Sequence, residues 1–285
     1  MEKQKKEKGN PTEIVPKRAR KPALSLCCCR TTFCILFFVL FAFVQSSAQT
    51  TPFRIKVMSF NVRMSGQATH YEVAPFAELI RTYNPDVVAL QEIDYMASRS
   101  GNKDFATELA AALGMFPAFG KTINLGSGEY GNAILSKYPF SSILVELLPE
   151  PPGTKERRGF ILTEIQFPSG QSLRFAGTHL DHSTDAVRSE MAKSFTEFIS
   201  KSSQPTIAGG DFNALPDDNT IVNEMKDWDR LCDNSPTFPD DPSKKIDYLF
   251  GYPKNEWKMI SYQVIRLSGL SDHCPILAEV ELQRK

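Results

Sequence analysis

Short apolar runs of strand length recur along this chain from Ile55 to Leu267, with few stretches of helical periodicity between them. Ile55, Val57 and Ser59 alternate with Lys56, Met58 and Phe60 as a partly buried strand, and Asp86 to Leu90 is an apolar strand after the Asn84-Pro85 turn. Further strands are predicted at 133–135, 143–148, 160–167, 173–178, 206–208, 246–250 and 259–267, and helices at 71–83, 105–113 and 186–200. In the last helix Val187, Met191, Phe195 and Phe198 form one apolar face, which Ser183 or Thr184 can cap. Many strands with few helices point to sheet packed on sheet with helices outside. No repeat and no Pro/Gly-rich linker follows Thr51, so one continuous domain is the simplest organisation.

Ahead of that domain, a basic start containing Lys17, Arg18, Arg20 and Lys21 leads into an apolar stretch from Thr31 to Val44 and then Ser46-Ser47-Ala48. The pattern predicts a signal peptide over residues 1–48 cleaved before Gln49, or a signal anchor, with a catalytic domain over 49–285. Export to the periplasm or the outside is expected, or membrane anchoring through residues 31–44. Membrane contact is expected only in that second case, and no protein partner is predicted. The chain's zero net charge hides an asymmetry, because from residue 49 onward there are 24 Lys and Arg against 30 Asp and Glu. That balance disfavours binding of nucleic acid by phosphate neutralisation and fits a small or membrane-bound phosphoester better. Cys232 and Cys274 are the cysteines left in the domain, open to a disulfide or to two buried thiols, and no zinc-ligand spacing is present.

Five polar motifs interrupt the apolar runs: Ser59-Phe60-Asn61, Gln91-Glu92-Ile93, Gly177 to His182, Gly209 to Asn213, and Ser271-Asp272-His273. Gln91-Glu92, His179 and Asp211 fall where a predicted strand ends, and Asp247 falls early in one. Strand ends converging on one edge would gather them in a cleft. Glu92 closes an apolar run, so its carboxylate needs solvent, a cation or a base, and magnesium suits an oxygen ligand of this kind. A surface or capping glutamate is the alternative, as a turn amide is for Asn61. Asp211 and Asn213, two apart, share one side if the backbone stays extended, whereas an Asx turn would separate them. His179 and His273 each lie near an aspartate, Asp181 and Asp272, and imidazoles move protons. Arg157-Arg158 precede a strand, where a guanidinium can fork onto phosphate or stand solvated. His182 reads as a neighbour of the site, and His70 as without a role.

The order Ser-Phe-Asn, Gln-Glu, Gly-Asn-Ala-Ile-Leu-Ser, Thr-His-Leu-Asp, Gly-Asp-Phe-Asn, Ile-Asp-Tyr and Ser-Asp-His, running from about Ile55 to Val280, resembles the endonuclease/exonuclease/phosphatase superfamily. This is the group of pancreatic deoxyribonuclease, exonuclease III-like repair enzymes, inositol polyphosphate 5-phosphatases and neutral sphingomyelinases. The resemblance implies an α/β fold, a four-layered sandwich of two central mixed β-sheets packed face to face with helices on both outer sides. It implies a magnesium site, with manganese the alternative, held by Glu92 with Asn61 and Asp272 nearby. His179 would act at the scissile phosphate, Asp211 and Asn213 would align water and a phosphoryl oxygen, and Asp247 would orient His273. Arg158 and Asn132, the latter in the Gly-Asn-Ala motif, are the substrate-binding candidates.

The reaction so implied is in-line attack of water on phosphorus, with Asp211 or the Asp247–His273 pair taking the proton. Abasic-site enzymes of the group carry tyrosine where this chain has His179, and no basic, aromatic-rich insertion is present, so DNA repair is disfavoured. The long hydrophobic hairpin of secreted bacterial sphingomyelinases is missing too. The leading expectation is an exported magnesium-dependent phosphodiesterase or phosphomonoesterase acting on a small, lipid-head-group or sugar-linked phosphate. The alternatives are an extracytoplasmic nuclease and a non-catalytic binding module, which would have lost one of Glu92, His179, Asp211 or His273; all four are present.

Overall fold

Apolar residues on both faces of a strand demand cover on both faces, and the central strands here obtain it from a second sheet on one side and helices on the other. A computed structural model describes residues 52–266 and 269–283. The segment expected to be a signal peptide or anchor, 1–48, lies outside the described residues, and so does Leu267. Among the described residues no helix is long and apolar enough to cross a membrane.

The first sheet contains β1 (Phe53–Asn61), β2 (Val87–Tyr95), β3 (Phe116–Leu125), β4 (Gly128–Ser136), β11 (Trp257–Val264) and β12 (Ile276–Leu282), in the order β11-β12-β1-β2-β4-β3. The second contains β5 (Phe140–Leu147), β6 (Gly159–Gln166), β7 (Ser172–His179), β8 (Thr206–Asp211), β9 (Asp229–Arg230) and β10 (Asp247–Tyr252), in the order β5-β6-β7-β8-β10-β9. Both are mixed: β1 runs parallel to β2 and β7 parallel to β8, while the other pairs are antiparallel. The first strand pairs with the last, from Phe53 opposite Leu282 to Ser59 opposite Ile276.

Three apolar clusters give the layers. Val57, Ala89, Ile134, Phe175 and Ile207 pack between the sheets. Met58, Phe60, Val88 and Leu90, on the alternate positions, face α2 (Ala74–Tyr83), which follows the one-turn α1 (Arg63–Gly66), and α3 (Phe105–Leu113) through Phe76, Ile80, Phe105 and Leu109. Met191 and Phe195 of α4 (Asp185–Ile199) meet Phe212 and Phe250 on the far side of the second sheet. Each such side chain contributes about 1.5–3 kcal/mol by leaving water. At Gly209 the sheets lie so close that a Cβ would sit 3.3 Å from the Cβ atoms of both Ala89 and Ser59. This is the four-layered arrangement expected.

Several boundaries differ from expectation. Strands β3 and β12 were not predicted: Pro117 and Lys121 break the apolar pattern of the first, an edge strand that tolerates both. The helix expected from Tyr71 starts at Ala74, since Tyr71 has φ +64°. Thr184 rather than Ser183 caps α4, its Oγ1 accepting from Val187 N at 3.3 Å. Strand β5, at the free edge of the second sheet, exposes Ile143, Leu144, Val145 and Leu147. Cys232 and Cys274 are both buried thiols.

Candidate active site

Glu92 does not end its strand, contrary to the reading of the apolar run. Strand β2 continues to Tyr95, but its register with β4 shifts between Leu90 and Ile93, and Glu92 adopts φ +62°. A flat strand would send Gln91 and Glu92 to opposite faces; the bulge re-aims Glu92 along the sheet edge. Its carboxylate accepts from Asn61 Nδ2 at 3.1 Å and from the Met64 amide at 3.0 Å. Asn61, fully buried at the end of β1, donates from the same nitrogen to Asp211 Oδ2 at 3.1 Å, joining the two sheets. Its Oδ1 accepts from the Arg63 amide.

In the second sheet His179 of β7 is paired with Asp211 of β8, and Asp211 with Asp247 of β10, so the three occupy one rung. His273, from the loop before β12, closes the group. Its Nδ1 lies 3.0 and 3.1 Å from the two Asp247 oxygens, its Nε2 lies 3.6 Å from Asp211 Oδ2, and Phe238 packs on its ring at 4.7 Å. Burial works against charge on His273, but Asp247 and Asp211 overcome it and raise the ring to about 10. Burial pushes the Asp211 carboxyl up to about 6, with His273 pulling down and Asp247 pushing up. The proton therefore rests on His273, and Asp211 is ionised above pH 6.

His179 is the opposite case. Burial and the neighbouring Arg158 guanidinium hold it well below the ordinary imidazole range, so it is neutral. Arg158 Nη1 donates to Nδ1 at 3.1 Å, which leaves the ring proton on Nε2, 3.4 Å from the acceptor Asp211 Oδ2, while the Asn213 Nδ2 at 3.0 Å donates to the Leu180 carbonyl. Asn213 is not extended from Asp211. It takes φ +49° in an Asx turn, its N–H donating to Asp211 Oδ1 at 2.8 Å, and its amide still reaches His179.

The residues fit a hard divalent cation. The carboxylates of Asp211 and Asp247 have oxygens within 4.8 Å of each other, and Glu92 is tied to Asp211 through the Asn61 amide. Burial first and the Asp247 charge second keep the Asp211 carboxyl raised, and a cation beside it would offset both. Asn61 turns N–H toward these carboxylates, and half a turn of the amide would offer oxygen instead. Asp272 is half-buried, 3.6 Å from Arg63 Nη1, and its Oδ1 lies 3.4 Å from the Ser271 hydroxyl that donates to the Asn61 carbonyl.

Arg158 is buried beside His179 and bridges to Glu156 at 2.7 Å. Asn132 is buried and donates to the Gly159 carbonyl at 3.1 Å. Asp181, near His179 in sequence, is structural: it accepts from the amides of Lys155, Glu156 and Ser183. A cleft of about 280 Å³ opens from Glu92 and Arg158, lined also by Arg99, Tyr130 and His182. Sequence reasoning missed Arg99 and Tyr130, for which the sequence offered only the Asp94–Arg99 spacing. Exposed His70 takes no part.

Residues 58–273 match the model of the Endonuclease/Exonuclease/phosphatase family. The uncharacterised protein YbhP of Escherichia coli K12 is 23% identical over 253 residues, spanning 82% of this chain and 99% of YbhP. The endonuclease/exonuclease/phosphatase structure from Beutenbergia cavernae has a TM-score of 0.69 at 21% identity, covering 80% of this chain and 72% of its own. The mannosyl-6-phosphatase Bt3783 of Bacteroides thetaiotaomicron has a TM-score of 0.64 at 18% identity, covering 79% and 99%.

Proposed function

The chain belongs to the endonuclease/exonuclease/phosphatase family, and from that premise we propose that it is an exported, divalent-metal-dependent hydrolase of small phosphate esters. The rung His179–Asp211–Asp247 closed by His273 carries this reading. A divalent cation held by Glu92, with Asn61 and Asp272 nearby, magnesium or manganese by the chemistry of the oxygen donors, would neutralise phosphoryl charge and acidify water.

The chain's own groups divide the remaining work. Asp211, ionised above pH 6 and fixed by Asn61 and Asn213, orients the attacking water and takes its proton. His273, charged and backed by Asp247, donates to a phosphoryl oxygen. The neutral His179 and the Asn213 amide donate from the other side. The O–P bond to water forms as the P–O bond to the alcohol breaks, the departing oxygen takes up a proton from solvent, and Asp211 later releases to solvent the proton it took. A polynucleotide substrate is less well supported, because acidic residues outnumber basic ones 30 to 24 from residue 49 onward. The mannosyl-6-phosphatase among the structural neighbours supports a small ester on this fold. Residues 1–48 would direct export, which amino-terminal sequencing of the mature protein checks.

The test is hydrolysis of p-nitrophenyl phosphate and bis-p-nitrophenyl phosphate by the purified protein with Mg2+, Mn2+ or EDTA. Cleavage that EDTA abolishes, and that falls at least about 100-fold in Asp211→Asn and in His273→Ala, is expected. Full activity in EDTA, or in either variant, overturns the reading.

A further inference from the structure

The cleft beside the rung has a composition that the hydrolytic chemistry alone does not need. One wall is the guanidinium of Arg99, held by the fully buried Asp94 through Nε at 2.9 Å and Nη2 at 2.7 Å and laid over the Tyr130 ring at 5.5 Å. A buried carboxylate spent on fixing a cleft-side arginine is a costly arrangement unless the arginine is used. Arg158 forms a second wall, only 4% exposed, and its Nε has no partner even though its Nη1 serves both His179 and Glu156. The lining also has an apolar part, Ile123 and Leu125 on the β3–β4 hairpin.

Apart from Glu92, which the cation would occupy, each guanidinium on the walls is already matched by a carboxylate, Arg99 by Asp94 and Arg158 by Glu156. A ligand group bringing a second anion would meet Glu156 as well as the arginines. A group whose hydroxyls both donate and accept satisfies guanidinium N–H and carboxylate oxygen together, while its C–H face lies on Ile123 and Leu125. The cleft volume of about 280 Å³ is of the size of one monosaccharide. We propose that this cleft holds the alcohol half of the ester, a neutral polyhydroxylated group of hexose size, so that the substrate is a sugar or polyol phosphate and the products are phosphate and the free sugar. This assignment rests on the proposed phosphoesterase reading and adds the substrate class to it.

The experiment uses the full chain with Mg2+ and compares kcat/KM for a panel of hexose 6-phosphates, a hexose bisphosphate, an oligonucleotide and p-nitrophenyl phosphate. A hexose 6-phosphate preferred at least 10-fold over the bisphosphate and the oligonucleotide is expected. In Arg99→Met the ratio of hexose phosphate to p-nitrophenyl phosphate activity should fall at least 10-fold, mainly through KM. Because Asp94 loses its partner there, Ile123→Trp, which narrows the cleft from the hairpin, provides a second variant with the same expected fall. Saturation-transfer NMR of free hexoses reads the cleft without turnover: signals in the wild type that vanish in Ile123→Trp support the assignment. A bisphosphate or oligonucleotide preferred, ratios unmoved in both variants, or no hexose signal overturns it. Failure to cleave p-nitrophenyl phosphate while the hexose signal persists overturns the hydrolase reading and leaves the cleft assigned.

Discussion

At the scale of single residues, the site stores strain where it needs direction. Glu92 at φ +62° is a non-glycine residue in the left-handed region, a conformation costing about 1–3 kcal/mol that persists because the bulge and two donated hydrogen bonds hold it. Asparagine tolerates that region well, so Glu92→Asn should leave urea stability within about 1 kcal/mol of the wild type. The same change should lower metal-dependent turnover at least about 100-fold. A variant that unfolds, or one that keeps its turnover, contradicts this separation of fold from chemistry. Asp181 makes the opposite point, being a polar group in a functional motif whose work is structural. Burial raises its carboxyl, but the hydrogen bonds from Ser183, Glu156 and Lys155 outweigh that and hold it below the usual carboxylate range. A depressed native value gives stability that is present above the unfolded pKa, near about 3.9, and lost as pH falls through the native one. Asp181→Asn should therefore cost about 1–3 kcal/mol at pH 7. Thermal melts of both proteins should converge as the pH is lowered below about 4. A gap that widens on acidification would show that the carboxylate is not the stabilising form.

Among the elements, β5 is the exception to an otherwise covered sheet. Its side chains at 143, 144, 145 and 147 are exposed, its outer edge has no strand beside it among the described residues, and it carries neither Pro nor Lys. Such an edge invites pairing with another chain, which a lysine at its centre would oppose. Leu144→Lys is expected to raise the concentration at which light scattering first appears, with turnover unchanged; earlier scattering would refute this role for the edge. The strands inside the sheets were readable from apolar runs because both of their faces are buried. Strands β3 and β12 were not, because the first is an edge where burial alternates imperfectly and the second has Glu279 and Glu281 at half-buried positions. The same division holds at the site. His179, Asp211, Asp247 and His273 announce themselves by residue type in apolar surroundings, whereas the bulge at Glu92 and the Arg99–Tyr130 wall depend on which strands pair, and no local pattern records that.

For the whole molecule, the site is assembled from both halves of the sequence, since Asn61 from the first strand touches Asp211 and the Ser271 hydroxyl donates to the Asn61 carbonyl at 2.7 Å. Turnover therefore reports on the integrity of the entire sandwich rather than of any one segment. The pairing of β1 with β12 sets Phe53 directly opposite Leu282, so the ends of the folded body are strand neighbours, about 5 Å apart. Topologically the domain is a ring whose present opening is arbitrary. A short Gly/Ser bridge from residue 283 back to residue 52, with new ends cut at the exposed Ser169–Gly170 turn, should give a circular permutant that folds and retains its catalytic constants within a few-fold. An insoluble permutant would mean that the order of synthesis, and not the contacts of the finished sandwich, decides whether this chain reaches its native state.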